Sequence, residues 1–180
     1  MAICHLVLTA LAIVLSVIGL VTLLNITEGP YVYPGKLLFV VIYIIHIISL
    51  VCCAAYIFKG YSKAGALYYN ISLLLIALAC VLGGTATVIV QGFGFGAAMA
   101  VLKVIVLLIL GVAKDLGKRN TFILFAILIV VDLLAVFFYV RYDGIALAVL
   151  ASTVTRLLMD ATIGLSICGK YADKAARGTK

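Results

Sequence analysis

Charge is what this sequence has least of. Asp, Glu, Lys and Arg make up 11% of its 180 residues, whereas ordinary soluble domains carry about a quarter. Apolar residues reach 67% and the mean hydropathy is +1.39. A globule of this length has no interior large enough to hide that excess, so a water-soluble fold is excluded and lipid must be the solvent. Acid is scarcer than base, 6 residues against 13, for a formal net charge of +7. In a soluble protein that balance would suggest nucleic acid. Here the basic residues fall between apolar runs, the pattern of anchoring at a cytoplasmic membrane surface, and no nucleic-acid partner is expected.

Recognisable chemistry is also lacking. There is no His-Glu-x-x-His, no Gly-x-Ser-x-Gly and no Walker lysine loop, so neither an enzyme nor a cofactor is expected. No soluble domain is present to hydrolyse ATP; energised transport would need an ion gradient or a separate motor subunit. No cysteine lies in an expected outer loop, which excludes a disulfide framework. Cys52 and Cys53 point to different faces of one helix, as packing residues rather than a metal pair. No metal site is expected. The first apolar run has no basic leader and is too long for a signal-peptide core, so it reads as a retained membrane helix.

What is present is six apolar runs, at about 5–25, 37–58, 66–91, 97–113, 121–140 and 145–168. At about 1.5 Å per residue each can cross a hydrocarbon core of roughly 30 Å, the fourth only just. Helices follow because lipid-exposed backbone must satisfy its own hydrogen bonds. Nothing has the ten-residue alternation of barrel strands. Lys59, Lys63, Lys114, Lys118, Arg119, Lys170, Lys174, Arg177 and Lys180 share one side, nine of the thirteen basic residues. The other side has Lys36 and Arg141. The expected fold is an all-α integral membrane protein, one polytopic domain forming a six-helix bundle with both termini cytoplasmic. Residues 169–180 would be a short basic tail.

Finer features are weaker. Asn25-Ile26-Thr27 matches a glycosylation sequon, a triplet frequent by chance. Tyr31, Tyr33, Phe93, Phe95, Tyr139 and Tyr142 can form an outer aromatic belt, and Tyr56, Tyr61, Tyr68 and Tyr171 an inner one. "KGYSK", "KDLGK" and "KYADK" share a Lys-x-x-x-Lys spacing that recurring hairpins bounded by lysines explain without an internal repeat. Gly-Phe-Gly at residues 92–94 follows a full-length span and reads as a hairpin turn, not a channel filter.

The informative residues are His46, Lys103, Asp132, Arg156 and Asp160, ionisable groups inside spans. A charge at the bilayer centre costs roughly 3 kcal/mol on insertion scales, so these groups should face the bundle interior. Depths from the outer helix ends come to about 9 Å for Lys103, 12 Å for Asp132, 13 Å for His46 and 16 Å for Arg156. Asp160, at about 22 Å, continues inward beneath Arg156 and about 10 Å from Asp132. Small or polar stripes mark the inward faces: Ala12, Ser16 and Gly19; Tyr43, His46, Ser49 and Cys53; Cys80, Gly84 and Thr87; Gly96, Ala100, Lys103 and Gly111; Asp132, Ala135 and Tyr139; Ser152, Arg156 and Asp160.

Two functions fit. In one, the charged slab lines an outward-biased pocket that binds or translocates a small polar or charged solute, with Asp132 and Arg156 as principal ligands and Lys103 and His46 assisting. In the other, the charges pair only to fix helix register, and the chain is a non-transporting scaffold or assembly subunit. Length, six spans, inside termini and the polar slab also resemble the membrane-embedded substrate-binding subunits of energy-coupling factor vitamin importers. "ALAIVLS" (Ala10–Ser16) is similar to the alanine-rich docking helix of that family. The resemblance implies an outward pocket and a partner ATPase subunit; no vitamin-specific motif accompanies it. The expected partners are therefore the bilayer, a small solute, and either another subunit or a second copy of the chain. The expected location is a bacterial cytoplasmic membrane.

Overall fold

The computed structural model describes residues 2–25, 35–91, 94–113, 116–143 and 147–178. Among them are six long helices and no strand: α1 (Ala2–Asn25), α2 (Gly35–Phe58), α3 (Ala66–Gln91), α4 (Phe95–Val112), α5 (Lys118–Asp143) and α6 (Leu147–Gly178). A 3₁₀ turn, Lys63–Gly65, leads into α3. Each of α1 to α5 holds a stretch long and apolar enough to cross a membrane. α6 is amphipathic, because Arg156, Asp160 and the basic residues from Lys170 interrupt its apolar face. The molecule is thus an all-helical assembly of the kind that suits a bilayer.

The helices match the expected spans to within three residues at every end but the last. There the helix runs on from 168 to Gly178. Gly169 alone does not stop it, because the following residues include Ala, Lys and Arg, all strong helix formers. The sequon's Ile26 and Thr27, with Tyr31, Tyr33, Phe93, Lys114 and Lys180, lie outside the described residues. So do the side chains of Thr87, Tyr139, Arg141, Tyr142, Ser152, Lys174 and Arg177.

Each helix packs on its neighbours in sequence, and α6 returns to α1, closing a ring that α6 also bridges to α2. The contacts of α5 with α4 and α6 are the thinnest among consecutive helices. Hydrogen bonds locate the start of α1 and the later part of α6 at one end of the bundle. His5 near the start of α1 meets Ser166 late in α6 and Tyr61 between α2 and α3. Tyr171 of α6 donates to the Leu116 carbonyl (3.0 Å) and shares a 2.7 Å bond with the Thr121 hydroxyl at the α4–α5 connection.

Polarity is distributed inside out relative to a soluble protein. On α1 the buried residues are His5, Thr9, Ala12 and Ser16, while Ile3, Val7, Leu11, Val14 and Ile18 face outward. A surface of this kind is solvated by acyl chains at no cost, whereas in water it would drive aggregation. The apolar core proper is formed by Leu50, Tyr69, Leu73, Leu107, Leu128 and Ile167, among others. Small residues let backbones approach. A Cβ on Gly84 of α3 would lie 3.0 Å from Ala100 of α4, and one on Gly111 would lie 3.3 Å from Leu73.

The inner aromatic belt does not form as expected. Tyr56 is buried, and Tyr61 and Tyr171 turn into the bundle; Tyr68 alone of the four is exposed. The reason is that their hydroxyls find partners inside: Tyr56 donates to the Tyr61 carbonyl, Tyr61 meets His5, and Tyr171 meets Thr121 and Leu116. A phenol with a partner has no need of the headgroup region.

Candidate functional site

Five helices converge on one buried polar site. Lys103 of α4 forms a hydrogen-bonded ion pair with Asp132 of α5. The same ammonium lies 3.8 Å from an oxygen of Asp160 on α6. Asp132 and Asp160 are each about 3% exposed. One helical turn before Asp160, Arg156 brings its charge within electrostatic reach of both carboxylates, of His46 and Tyr43 on α2, and of Cys80 on α3. His46 also feels Lys103. Of the five ionisable residues singled out from the sequence, Lys103, Asp132 and Asp160 meet, and Arg156 and His46 lie within electrostatic reach of them, as do Tyr43 and Cys80.

The expected separation in depth is corrected. Asp160 does not lie a full 10 Å beneath Asp132; both carboxylates flank the same lysine. Counting residues from helix ends ignores the direction in which side chains lean. Every Cα–Cβ bond tilts toward its own helix N-terminus. Successive helices run in opposite directions, so Asp132 on α5 and Asp160 on α6 lean toward each other. The long apolar stem of Lys103 then carries its ammonium to both.

The local environment of Asp160 sets it apart. Neither of its oxygens accepts a hydrogen bond from a described residue. The Lys103 ammonium lies 3.8 Å from its Oδ1, and the carboxyl group of Asp132 is beside it. Two ionised carboxylates present acceptor to acceptor and cannot satisfy one another. Leaving a buried acceptor unmade costs about 1–3 kcal/mol, and more when it is charged. With both carboxylates ionised, the described residues supply Asp160 with no hydrogen-bond donor.

A second polar cluster lies nearer the terminal end, and sequence reasoning missed it. His5 is fully buried. Its Nδ1 and the Tyr61 hydroxyl are 3.2 Å apart, and the two rings stack. Its Nε2 lies 3.4 Å from Cys53 Sγ and 3.3 Å from Ser166 Oγ, which are themselves 3.4 Å apart. One imidazole thus joins α1, α2, α6 and the α2–α3 connection. Burial pushes the Tyr61 phenol above its ordinary pKa, so it stays protonated as a hydrogen-bonding partner. The signal was available: the stripe Ala12–Ser16, extended back by one and two turns, reaches Thr9 and His5.

His5→Ala should therefore destabilise the bundle by about 1–3 kcal/mol, because it strips partners from a buried thiol and two hydroxyls. His5→Gln, which retains polar atoms, should recover part of the loss. Unfolding of the detergent-solubilised protein by a denaturing detergent measures both.

Among protein-family models, curated proteins and solved structures, none matches this chain.

Proposed function

We propose that the chain is a multi-pass membrane protein of six spans, both termini cytoplasmic, that binds or translocates a small polar or charged solute at the Lys103–Asp132–Arg156–Asp160 site. No chemistry is performed on the solute. The observation that supports this reading most is the Asp160 carboxylate, buried in an apolar bundle with no hydrogen bond to either oxygen among the described residues. Ionisable groups inside a membrane are costly to keep and mark solute or ion paths by default. A purely structural charge would be expected to carry a full set of partners. The thin packing of α5, which carries Asp132, supports access beside that helix. The basic residues Lys59, Lys63, Lys118, Arg119 and Lys170 lie toward the end of the bundle that carries the termini, which supports a cytoplasmic face there. A bacterial cytoplasmic membrane suits this arrangement. Energy would come from an ion gradient or from an associated ATPase subunit, the latter in line with the topological resemblance to energy-coupling factor importers.

Native mass spectrometry of the gently extracted protein tests the reading. A discrete small adduct is expected on the wild type, lost in Asp132→Asn and Arg156→Ala while both remain folded. An adduct that survives both substitutions sinks the pocket. One observation favours a second reading, an assembly scaffold: Lys103 and Asp132 satisfy each other without any ligand. On that reading no adduct appears, the single variants lose stability, and the swapped pair Lys103→Asp with Asp132→Lys regains it.

A further inference from the structure

The charges and spacing of the site narrow its solute to one chemical class. Once the solute displaces the proton from Asp160 both carboxylates are ionised, and Lys103, Arg156, Asp132 and Asp160 then sum to zero. Adding a net charge to a neutral site inside an apolar bundle incurs the full desolvation cost of that charge. A solute with separated charges but no net charge avoids this. It can still form charge-assisted hydrogen bonds at both of its ends.

The two ends are already spaced on α6. Asp160 offers two acceptor oxygens that no described residue donates to. Arg156, one helical turn away, has five donors in a fixed fork suited to a carboxylate, enough to keep a protein partner and take another. Side chains at this separation on a helix have Cβ atoms about 5–6 Å apart. The two residues therefore share one helix face, where a single short solute can reach both. Lys103 cannot supply the missing donor without leaving Asp132, since its ammonium is bonded there and lies 3.8 Å from Asp160.

We propose that the site takes a small zwitterion, an amino acid or a close analogue, with its ammonium on Asp160 and its carboxylate on Arg156. This rests on the solute-binding reading above. A proton is the competing occupant of Asp160, because a protonated Asp160 can donate to Asp132. The groups facing Asp160 are Lys103 on α4, Asp132 on α5, Arg156 on its own helix and Cys80 on α3. When the ammonium arrives, that proton leaves to solvent, so binding weakens as pH falls.

The test is equilibrium binding to the full-length protein in detergent, using glycine, β-alanine, γ-aminobutyrate, methylammonium and propionate. At least one of the three zwitterions should bind ten-fold or more tightly than methylammonium or propionate. Asp160→Asn should lose that preference, with its fold verified by an unchanged melting transition; Asp160→Glu, which keeps the acceptor, should retain part of it. If methylammonium or propionate binds as tightly as the best zwitterion, the class is wrong while the solute-binding reading stands. Undiminished zwitterion binding by a folded Asp160→Asn overturns the assignment of Asp160. If none of the five binds and the native protein carries no adduct, the solute-binding reading itself fails.

Discussion

Replacing Lys103 by methionine should destabilise the bundle by about 3–5 kcal/mol, the cost of stranding a buried charge by removing its partner. The effect should exceed that of Asp132→Asn, and the asymmetry is informative. Lys103 has a second carboxylate within reach, Asp160 at 3.8 Å. When Asp132 is neutralised, the ammonium can move to Asp160 and keep an ionic partner. When Lys103 is removed, two carboxylates remain side by side in an apolar interior. Adding Asp132→Asn to Lys103→Met should then restore most of the lost stability, because a neutral pair of similar shape often costs little. Unfolding curves for the three variants form a double-mutant cycle that isolates the pair. Equal losses for Lys103→Met and Asp132→Asn would show that Asp160 does not share the lysine.

The second large effect is expected at Gly169→Ala. A Cβ there would lie 2.3 Å from Tyr61 Cδ1, 2.5 Å from Cε1 and 2.6 Å from Cγ. Because Cγ is at the base of the ring, a small rotation of its tip gives no relief; the whole side chain must leave. Tyr61 is already held in a costly conformation, with φ of 59° after Gly60 at 64°. A bulky residue in the left-handed region persists only where its surroundings over-determine it. Here they are the stacked His5 ring, the edge of Tyr56 and the bare Cα of Gly169. Gly169→Ala should cost about 1–3 kcal/mol from overpacking. It should also raise the rate at which a membrane-permeant maleimide labels Cys53, which is buried against the His5 ring that Tyr61 stacks on. Combining it with Tyr61→Gly, which removes both the ring and the backbone strain, should give less than the sum of the two losses. Strict additivity would mean that Tyr61 and Gly169 do not meet.

How much of this was legible beforehand varies by feature. Helices and their ends follow from composition, because twenty apolar residues between charged loops have few alternatives in lipid. Convergence of the five ionisable residues was legible too, since none tolerates an acyl environment. Which carboxylate takes Lys103 was not, because pairing depends on the order of helices around the ring and on side-chain lean. Residue counting carries neither. His5 escaped notice because it lies only a few residues from the chain's start, where a polar side chain is unremarkable. Its burial depends on Cys53 and Ser166, which are distant in sequence. Tyr61 was misplaced because a terminal-side tyrosine resembles a headgroup anchor, and it is the bond to His5 and the seat over Gly169 that turn it inward.

The joining of first helix to last also has a temporal side. His5 and Ser166 are separated by 161 positions along the chain. At about 5–20 residues per second, synthesis takes roughly 10–30 s to travel between them. Throughout that interval α1 carries an imidazole whose partner on α6 does not yet exist. α2, arriving earlier, supplies Cys53 and with Tyr61 provides interim shelter. A nascent chain arrested before α6 would expose the unfilled side of that cluster to lipid, a polar flaw that membrane quality control can read as a sign of incompleteness.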